Sequence, residues 1–256
     1  MKSLDGKIAW VTGAGSGIGK AAALALAREG ATVVVSGRRG ELLEQTAREV
    51  AGAGGKARVE AGDLTRAATA ARIAASIKEA YGRLDILVNN AGVNITHRSW
   101  RELEAAGADE VIHGNLSSAF YCVLAALPLM RAQRDGVLIH TASWAGRFVG
   151  PVSGPAYTAA KHAVVAMSHS LNMEECANGI RSSVVCPAEV ATPILDKRPV
   201  PVSKEERARM LQPEHLGDLI RYIAALPASV CMNEVVISPT WNRGYIAALG
   251  QPHVKT

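Results

Sequence analysis

Two side chains four positions apart carry the most specific chemistry in this sequence. Tyr157 and Lys161 open an alanine-rich helical run, and this spacing places both on one helix face. Because the reference pKa of tyrosine is about 10, an unaided phenol is a poor base at neutral pH. One ammonium at roughly 4 Å, with an effective dielectric near 20, supplies about the 4 kcal/mol that a shift of about three pKa units requires. The pair therefore predicts a phenol that exchanges a proton near working pH.

A serine hydroxyl is expected beside this pair. Ser143 follows the apolar run 137–141, so it is predicted at the carboxyl end of a strand, where it can donate to a substrate oxygen. Many helices carry a tyrosine and a lysine at this spacing, and a lone serine is usually a polar loop residue. Their combination favours an active site.

The elements that position these residues alternate along the chain. Short apolar runs predict seven strands, with alanine-, leucine- and glutamate-rich helical stretches such as 20–29 and 42–51 between them. This alternation is typical of an α/β doubly wound (Rossmann) fold, a parallel seven-stranded sheet with helices on both faces. No linker interrupts residues 1–256, so one domain is expected. The predicted strands are 8–11, 32–36, 57–60, 86–88, 136–141, 181–185 and 234–237.

A glycine-rich turn follows the first predicted strand directly. Glycines are needed where a strand turns into a helix and the backbone must approach a pyrophosphate closely. A glycine cluster alone also fits a flexible loop, but the strand before it and the helix after it favour a dinucleotide site. The expected phosphate-binding residues are Gly13, Ser16, Gly17, Ile18 and Gly19.

The end of the second strand predicts the type of dinucleotide. NAD-binding domains usually carry an acid about 20 residues beyond the glycines, whereas this chain has Arg38 and Arg39 and no acid before Glu41. A guanidinium binds a ribose 2′-phosphate that a carboxylate repels. We therefore expect NADP(H) to be preferred, with NAD possible. The alternative is that the two arginines only begin a solvated helix.

Composition limits the other classes of function. The formal net charge of +5 is scattered, with no basic stripe interleaved with aromatics, so no nucleic-acid partner is expected. The four cysteines lack metal-site or disulfide spacing, which is typical of a reducing compartment. No signal peptide and no run of about 18 apolar residues are evident, so we expect a cytoplasmic protein without a membrane partner.

Taken together, the motifs resemble the classical short-chain dehydrogenase/reductase family over almost the whole chain. Several spaced motifs in the right order are far more specific than any one of them. The residues that carry the resemblance are Thr12, Gly13, Gly17 and Gly19 in the turn, Asp63, the NNAG run 89–92, Asn115, Ser143, Tyr157 and Lys161.

The resemblance implies a role for each catalytic residue. Tyr157 would be the general acid in reduction and the base in oxidation, and Ser143 would hold the substrate carbonyl. Lys161 would lower the pKa of Tyr157 and bind the nicotinamide ribose, and Asn115 would anchor a water that relays protons to Lys161. Tyr157 and Lys161 thus also count as cofactor-binding residues. The others implied are Asp63 and Leu64 beside the adenine, Asn90 in the cleft, and Val190 and Thr192 at the carboxamide. No metal is required.

The residues expected around the substrate match no motif that would identify it. A short lid is expected at about 193–212, whose positive charge favours either an anionic substrate or only a solvated helix face. Val93, Asn94 and Trp144 are expected to wall the pocket. Glu189 is expected either to bind a substrate group or, as the simpler alternative, to face solvent. The resemblance also implies a homotetramer or a homodimer.

Three hypotheses remain open from the sequence. The first is an NADP(H)-dependent reductase of a ketone, a sugar-like carbonyl or a 3-oxoacyl thioester. The second keeps the chemistry and reverses its direction, with NAD⁺ oxidising a secondary alcohol. The third is a catalytically idle NADP-binding sensor or scaffold, against which the intact set of Asn115, Ser143, Tyr157 and Lys161 argues.

Overall fold

The strands form one parallel sheet, as predicted. In the computed structural model, which describes residues 3–250, the strand order is β3-β2-β1-β4-β5-β6-β7. The outermost residues of the predicted domain, 1–2 and 251–256, lie outside the described residues. The strands are β1 (Ile8–Thr12), β2 (Thr32–Gly37), β3 (Lys56–Ala61), β4 (Ile86–Asn89), β5 (Gly136–Thr141), β6 (Ile180–Pro187) and β7 (Glu234–Ile237).

Helices connect the strands and cover both faces of the sheet. A π-helical turn, His113–Ser117, joins two of them, and a short 3₁₀ turn, Trp144–Gly146, follows β5. The α-helices are α1 (Gly17–Arg28), α2 (Gly40–Gly52), α3 (Ala67–Tyr81), α4 (Ala105–Ile112), α5 (Ser118–Gln133), α6 (Pro155–Glu175), α7 (Lys204–Arg209), α8 (Pro213–Ala224) and α9 (Arg243–Ala248).

Alternate residues of each central strand enter opposite cores. In β2, Val33 and Val35 belong to the cluster that includes residues of α1, α2 and α8, whereas Val34 belongs to the cluster with α3, α5 and α6. Because side chains alternate along a strand, a strand covered on both faces is apolar at every position. This explains the continuous apolar runs in the sequence.

The strand order reverses between β1 and β4, which are neighbours in the sheet. Ligands of open α/β sheets bind at the carboxyl ends of the strands beside such a reversal. At the opposite, amino end, Asp85 accepts hydrogen bonds from the Ile8 amide at 2.9 Å and from Lys7 Nζ at 3.0 Å, and it also pairs with Arg83. This buried carboxylate fixes where β1 and β4 begin.

The long helical run over α4, the π-helical turn and α5 shows the composition of a core element. Ala105–Gln133 is long and apolar enough to cross a membrane by length and composition, but half of its apolar window is buried inside the fold. Core helices pass the same test, and Cys122, Ala126 and Met130 contribute to the core beneath it. Packing against the sheet therefore accounts for its apolar composition.

Candidate active site

One cavity of about 1110 Å³ opens at the carboxyl ends of the strands. It is lined by the glycine-rich turn after β1, by the residues that follow β2 to β6, and by α6 and the predicted lid. Of the predicted site residues, this cavity brings together Gly13, Ser16, Gly17, Ile18, Arg38, Asp63, Leu64, Asn90, Val93, Asn94, Asn115, Ser143, Trp144, Tyr157, Lys161, Glu189, Val190 and Thr192. Gly19 does not line it.

The glycine-rich turn requires glycine for two different reasons. Gly13 and Gly17 have φ values of +64° and +54°, and a Cβ on Gly17 would lie 3.1 Å from Thr192 Cγ2. Gly19 instead packs behind the turn, where a Cβ would lie only 2.4 Å from the Gly13 carbonyl oxygen. Gly19 therefore shapes the turn without lining the cavity, and its predicted part in cofactor binding stays a prediction.

The start of α1 is suited to an anion. Ser16 precedes the helix in an extended conformation, its side chain does not cap the helix, and the first turn contains no acid. The first amides of a helix lack intrahelical partners and carry a partial positive charge. They fit a pyrophosphate that approaches across the glycines.

Two arginines at the end of β2 extend this positive region. Arg38 and Arg39 are both exposed and both line the cavity. Arg39 Nη2 donates to Ser16 Oγ at 3.1 Å. The charge of Arg38 acts on Asp63, whose pKa lies below its usual value because hydrogen bonds from Thr65 and nearby cations outweigh the effect of burial. The sequence predicted both arginines as candidates for binding a ribose 2′-phosphate, but it did not indicate the contact between Arg39 and Ser16.

The proton-transfer residues meet where β5 and α6 approach each other. Lys161 is 4% exposed and its Nζ donates to the Thr141 carbonyl at 2.8 Å. The same ammonium lies 5.6 Å from the centre of the Tyr157 ring. The Ser143 hydroxyl interacts with the Tyr157 hydroxyl and accepts a hydrogen bond from the Ala145 amide at 3.1 Å. The three groups predicted to converge therefore do so.

Burial changes the pKa values of Tyr157 and Lys161, an effect that their spacing in the sequence does not predict. Burial raises the pKa of Tyr157, and the groups that oppose this effect are Ser143 and the guanidinium of Arg98. Burial also lowers the pKa of Lys161 to about 8. A lysine with this pKa is still mostly protonated at pH 7 and loses its charge as the pH rises through 8.

Asn115 lies in the π-helical turn between α4 and α5. Its Nδ2 donates to the carbonyls of Val93 and Val111, both at 2.7 Å, whereas its buried Oδ1 has no protein partner. A Cβ on Gly92 would lie 2.7 Å from Asn115 Oδ1 and 3.6 Å from Lys161 Nζ. The free oxygen thus faces the same narrow space as the lysine. π-helical turns are rare in proteins and are found frequently at functional sites.

Comparison with known sequences identifies the family. The model of a family described as short chain dehydrogenase matches residues 7–200. The chain belongs to the short-chain dehydrogenase/reductase family. It is therefore an NAD(P)-dependent oxidoreductase with the fold described above, in agreement with the predicted family and reaction class.

Relatives of this short-chain dehydrogenase act on different substrates. It is 37% identical over 197 residues to a 3beta-hydroxysteroid dehydrogenase of Mediterraneibacter gnavus, covering 77% of this chain and 71% of the relative. It is 31% identical to a 3-oxoacyl-acyl-carrier-protein reductase of Thermotoga maritima, covering 91% and 96%. A metagenomic short-chain oxidoreductase solved in complex with NADP is 32% identical, with a TM-score of 0.81 and coverage of 94% and 100%.

The residues present fit the dinucleotide that this family uses. The glycines leave no side chain between the backbone and the cavity, and the start of α1 offers amides. At the far end, Asp63 retains its charge beside Arg38. The start of α1 thus fits a pyrophosphate, and Asp63 and Arg38 offer charged groups to the adenosine end.

The substrate end of this dehydrogenase has an aromatic wall. Trp144 and Phe148 stack with their ring centres 4.3 Å apart at an angle of 30°, and Tyr245 meets Trp144 edge-on at 5.9 Å. Val93 and Asn94 also line the cavity, as predicted, and Asn94 Nδ2 donates to the Ser153 carbonyl at 3.0 Å. Phe148 and Tyr245 were not predicted because their contact with Trp144 depends on the tertiary path of the chain.

Glu189 lines the cavity and is paired with two arginines. Its carboxylate pairs with Arg198 at 2.6 Å and with Arg243 at 3.5 Å. Arg243 also pairs with Glu206 at 3.0 Å. Glu189 therefore ties the chain after β6 to the predicted lid and to α9. Substrate binding by this acid stays a prediction, and its ion pairs add a structural role that the sequence did not indicate.

The predicted lid contains more local structure than its sequence indicated. A 3₁₀ turn, Pro193–Lys197, is followed by α7, whose start carries a capping box between Ser203 and Glu206. Leu195, Val202 and Met210 form a small apolar cluster beneath it. Part of its positive charge is paired, because Arg207 contacts Asp196 and Arg198 contacts Glu189.

Proposed function

We propose that this protein transfers a hydride between NADP(H) and the carbonyl or carbinol carbon of a small molecule, with Tyr157 moving the proton. The observation that carries the proposal is the convergence of Ser143, Tyr157 and Lys161 at one end of a cavity whose other end is built for a dinucleotide. A nicotinamide dinucleotide supplies the hydride donor or acceptor when bound.

The chain's own groups account for the remaining steps. Ser143 donates a hydrogen bond to the substrate oxygen and orients it toward Tyr157. In reduction the phenol of Tyr157 gives its proton to that oxygen as the hydroxyl forms, and in oxidation the phenolate takes it back. Lys161 holds a positive charge beside the ring, and Asn115 presents its unpaired Oδ1 toward Lys161, where a water can bridge the two.

The preference for NADP(H) over NAD(H) rests on the end of β2. Arg38 and Arg39 line the cavity and no carboxylate occupies the position after the strand. Two guanidinium groups favour a 2′-phosphate through charge-assisted hydrogen bonds. The NADP complex of the metagenomic relative agrees with this proposal.

The substrate we propose is a secondary alcohol or ketone with an apolar, ring-shaped body. Phe148, Val149 and Val152 line the cavity, yet their side chains are 48%, 85% and 59% exposed. Exposed apolar groups around a cavity mark a surface that a ligand covers. The stacked rings of Trp144 and Phe148 offer a flat platform to a cyclic substrate, which is the kind of substrate that the hydroxysteroid dehydrogenase is named for.

A 3-oxoacyl thioester is the second candidate substrate. The similarity to the acyl-carrier-protein reductase extends over nearly the whole chain, and an apolar rim also suits an acyl chain. The idle-sensor hypothesis is disfavoured, because a protein that only binds NADP has no use for the Ser143 hydroxyl placed against the hydroxyl of Tyr157.

A matrix of cofactors and substrates tests the proposal. Nicotinamide absorbance is followed with NADP⁺ and NAD⁺ against cyclohexanol, a 3β-hydroxysteroid and a 3-hydroxyacyl thioester, and with the reduced cofactors against the matching ketones. We expect the highest kcat/KM with NADP(H) and a cyclic substrate. A higher value with the thioester selects the second candidate, and no turnover of any pair refutes the enzymatic proposal.

Assembly and location complete the proposal. We infer a homotetramer or homodimer, because Phe120 and Leu124 on α5 are exposed. We also infer that the protein is a single domain, with the lid at about 193–212, and that it is located in the cytoplasm. Light scattering during size-exclusion chromatography measures the assembly, and a monomeric mass contradicts it.

A further inference from the structure

Arg98 is a buried cation without an anionic partner. It is 6% exposed, and its guanidinium donates to the backbone carbonyls of Lys197 and, at 3.5 Å, Val152. Its Nε has no hydrogen-bond partner, and no ion pair within residues 3–250 includes Arg98. A buried charge held only by neutral groups is costly unless an opposite charge forms beside it.

The position of Arg98 is fixed relative to Tyr157. Its aliphatic stem packs on Gly154, where a Cβ would lie 2.9 Å from both Cβ and Cγ of Arg98. Gly154 directly precedes α6, and Tyr157 follows in the first turn of that helix. Arg98 and Tyr157 line the same cavity, and the guanidinium lies near enough for its charge to act on the phenol.

The other cation near Tyr157, Lys161, has a hydrogen-bond partner of its own and a lowered pKa. Lys161 Nζ donates to the Thr141 carbonyl, and burial lowers the pKa of Lys161 to about 8. Alcohol oxidation needs the phenolate of Tyr157, which is favoured at high pH, where this lysine is losing its proton. An arginine keeps its charge throughout that range. We therefore identify the phenolate of Tyr157, which forms during alcohol oxidation, as the anion that pairs with Arg98.

We propose that Arg98 is a positioning residue for the proton transfer: a second cation that stabilises the anionic form of Tyr157 and is held in place by the lid carbonyl of Lys197. The inference rests on the proposed function, because it assigns Arg98 to the same reaction. It also links the 3₁₀ turn of the lid to the proton-transfer residues, since that turn carries Lys197.

The other charged and titratable groups around this pair are few. Ser143 and Lys161 face Tyr157, and Cys186 lies near Lys161 with a pKa that burial raises to about 11. Arg198 repels Arg98 and is itself paired with Glu189. Because Cys186 stays protonated and Glu189 is paired, neither supplies the missing anion.

The test compares pH profiles of alcohol oxidation for the wild type, R98Q, R98M and R98K, at saturating NADP⁺. Gln retains a donor for the Lys197 carbonyl, Met retains the packing on Gly154, and Lys retains the charge. We expect the apparent pKa of kcat to rise by about one unit in both neutral variants, which lowers kcat about tenfold at a pH below it. R98K restores most of the loss. R101Q, at an exposed arginine of the same loop, is the matched control.

A purely structural role predicts a different result. If Arg98 only ties the lid to the loop before α6, all three substitutions lower the melting temperature and raise KM, and the apparent pKa does not move. That outcome overturns the proposal, as does an R98K variant with the profile of R98Q. Saturating NADP⁺ favours the folded state of any variant that binds it.

A spectroscopic titration separates this inference from the proposed function. The near-ultraviolet absorbance of the phenolate is followed with pH, and the difference between wild type and Y157F isolates Tyr157. The same difference is measured in the R98Q background. A higher phenol pKa in R98Q supports the inference even if no tested alcohol is oxidised, and an unchanged pKa refutes it even if turnover is high.

Discussion

Arg39 Nη2 lies 3.1 Å from Ser16 Oγ, so the residue directly before α2 is held at the start of α1. Arg38, its neighbour, is exposed on the same side of the cavity. Together they place two positive charges where the phosphates of a dinucleotide are expected. This arrangement makes cofactor choice the most direct property to test.

Replacing either arginine is expected to lower the NADP⁺ to NAD⁺ ratio of kcat/KM. Hydrogen bonds to charged groups contribute roughly 1.5–3 kcal/mol, so R38Q and R39Q should each lower the ratio by about 10- to 100-fold. R38D should reverse the preference. R48Q removes an exposed arginine of α2 outside the cavity and is the control. An unchanged ratio in R38D would leave the two arginines as a solvated helix start.

Tyr157→Phe tests the proton-transfer role. Removing the hydroxyl deletes the general acid while leaving the ring against Lys161, so kcat should fall by about 10² to 10⁴-fold with a similar Kd for NADP⁺. Fluorescence titration of NADPH and steady-state kinetics give the two values. Tyr81→Phe, on α3 and outside the cavity, should change neither. Substantial residual turnover in Y157F would require another proton donor.

Asn115 is expected to contribute to both stability and turnover. In N115A the carbonyls of Val93 and Val111 lose their donor, and each buried unsatisfied group costs about 1–3 kcal/mol. The same substitution removes the oxygen that faces Lys161, so kcat should fall as well. Thermal unfolding and kinetics measure the two effects.

Asn89 separates these contributions of Asn115. Its Nδ2 donates to the Ala119 carbonyl at 2.8 Å, and it is buried outside the cavity. N89A should therefore lower stability by a similar amount with little change in kcat. Equal losses of kcat in N89A and N115A would mean that Asn115 acts only through the fold.

The architecture was readable from sequence because it depends on local patterns. Apolar runs bounded by glycines predicted all seven strands to within about two residues at each end. Ser143, Tyr157 and Lys161 were also accessible, because Ser143 follows a strand and the other two share a helix face. These positions can be inferred from secondary structure and from the rule that the carboxyl ends of parallel strands lie at one edge of the sheet.

The missed features depend on tertiary paths that no local pattern encodes. Arg98 belongs to none of the motifs that the sequence shows, yet it is buried and its stem packs on Gly154, 56 positions later. The partners of Glu189 arrive from the lid and from α9. Burial raises the pKa of Tyr157 and lowers the pKa of Lys161. The pair therefore interacts differently from two charges at one fixed dielectric, which is all that their spacing in the sequence provides.

Asp85 should make the stability of the fold depend on acid pH. Burial by itself raises the pKa of this carboxylate, but hydrogen bonds from Arg83, the Ile8 amide and Lys7 outweigh burial and lower it. A carboxyl whose folded pKa is depressed adds stability above its unfolded pKa, near 3.9, and this contribution is lost as pH falls through the folded pKa. The contribution is therefore complete at neutral pH.

D85N is expected to lower the free energy of unfolding by about 1.5–3 kcal/mol at pH 7, the usual contribution of hydrogen bonds to a charged group, because its partners Lys7 and Arg83 are partly exposed and remain hydrated. The difference from wild type should begin to shrink as the pH falls below about 4, because Asp85 takes up its proton there in the unfolded chain before it does so in the folded protein. Urea unfolding at a series of pH values measures it. D135N is the control, because Asp135 also pairs with Lys7, at 3.2 Å, but its side chain is 36% exposed, and exposed pairs contribute roughly 0–1 kcal/mol. A D85N deficit that stays constant from pH 7 to pH 3 would show that the carboxylate charge of Asp85 does not fix the start of β1 and β4.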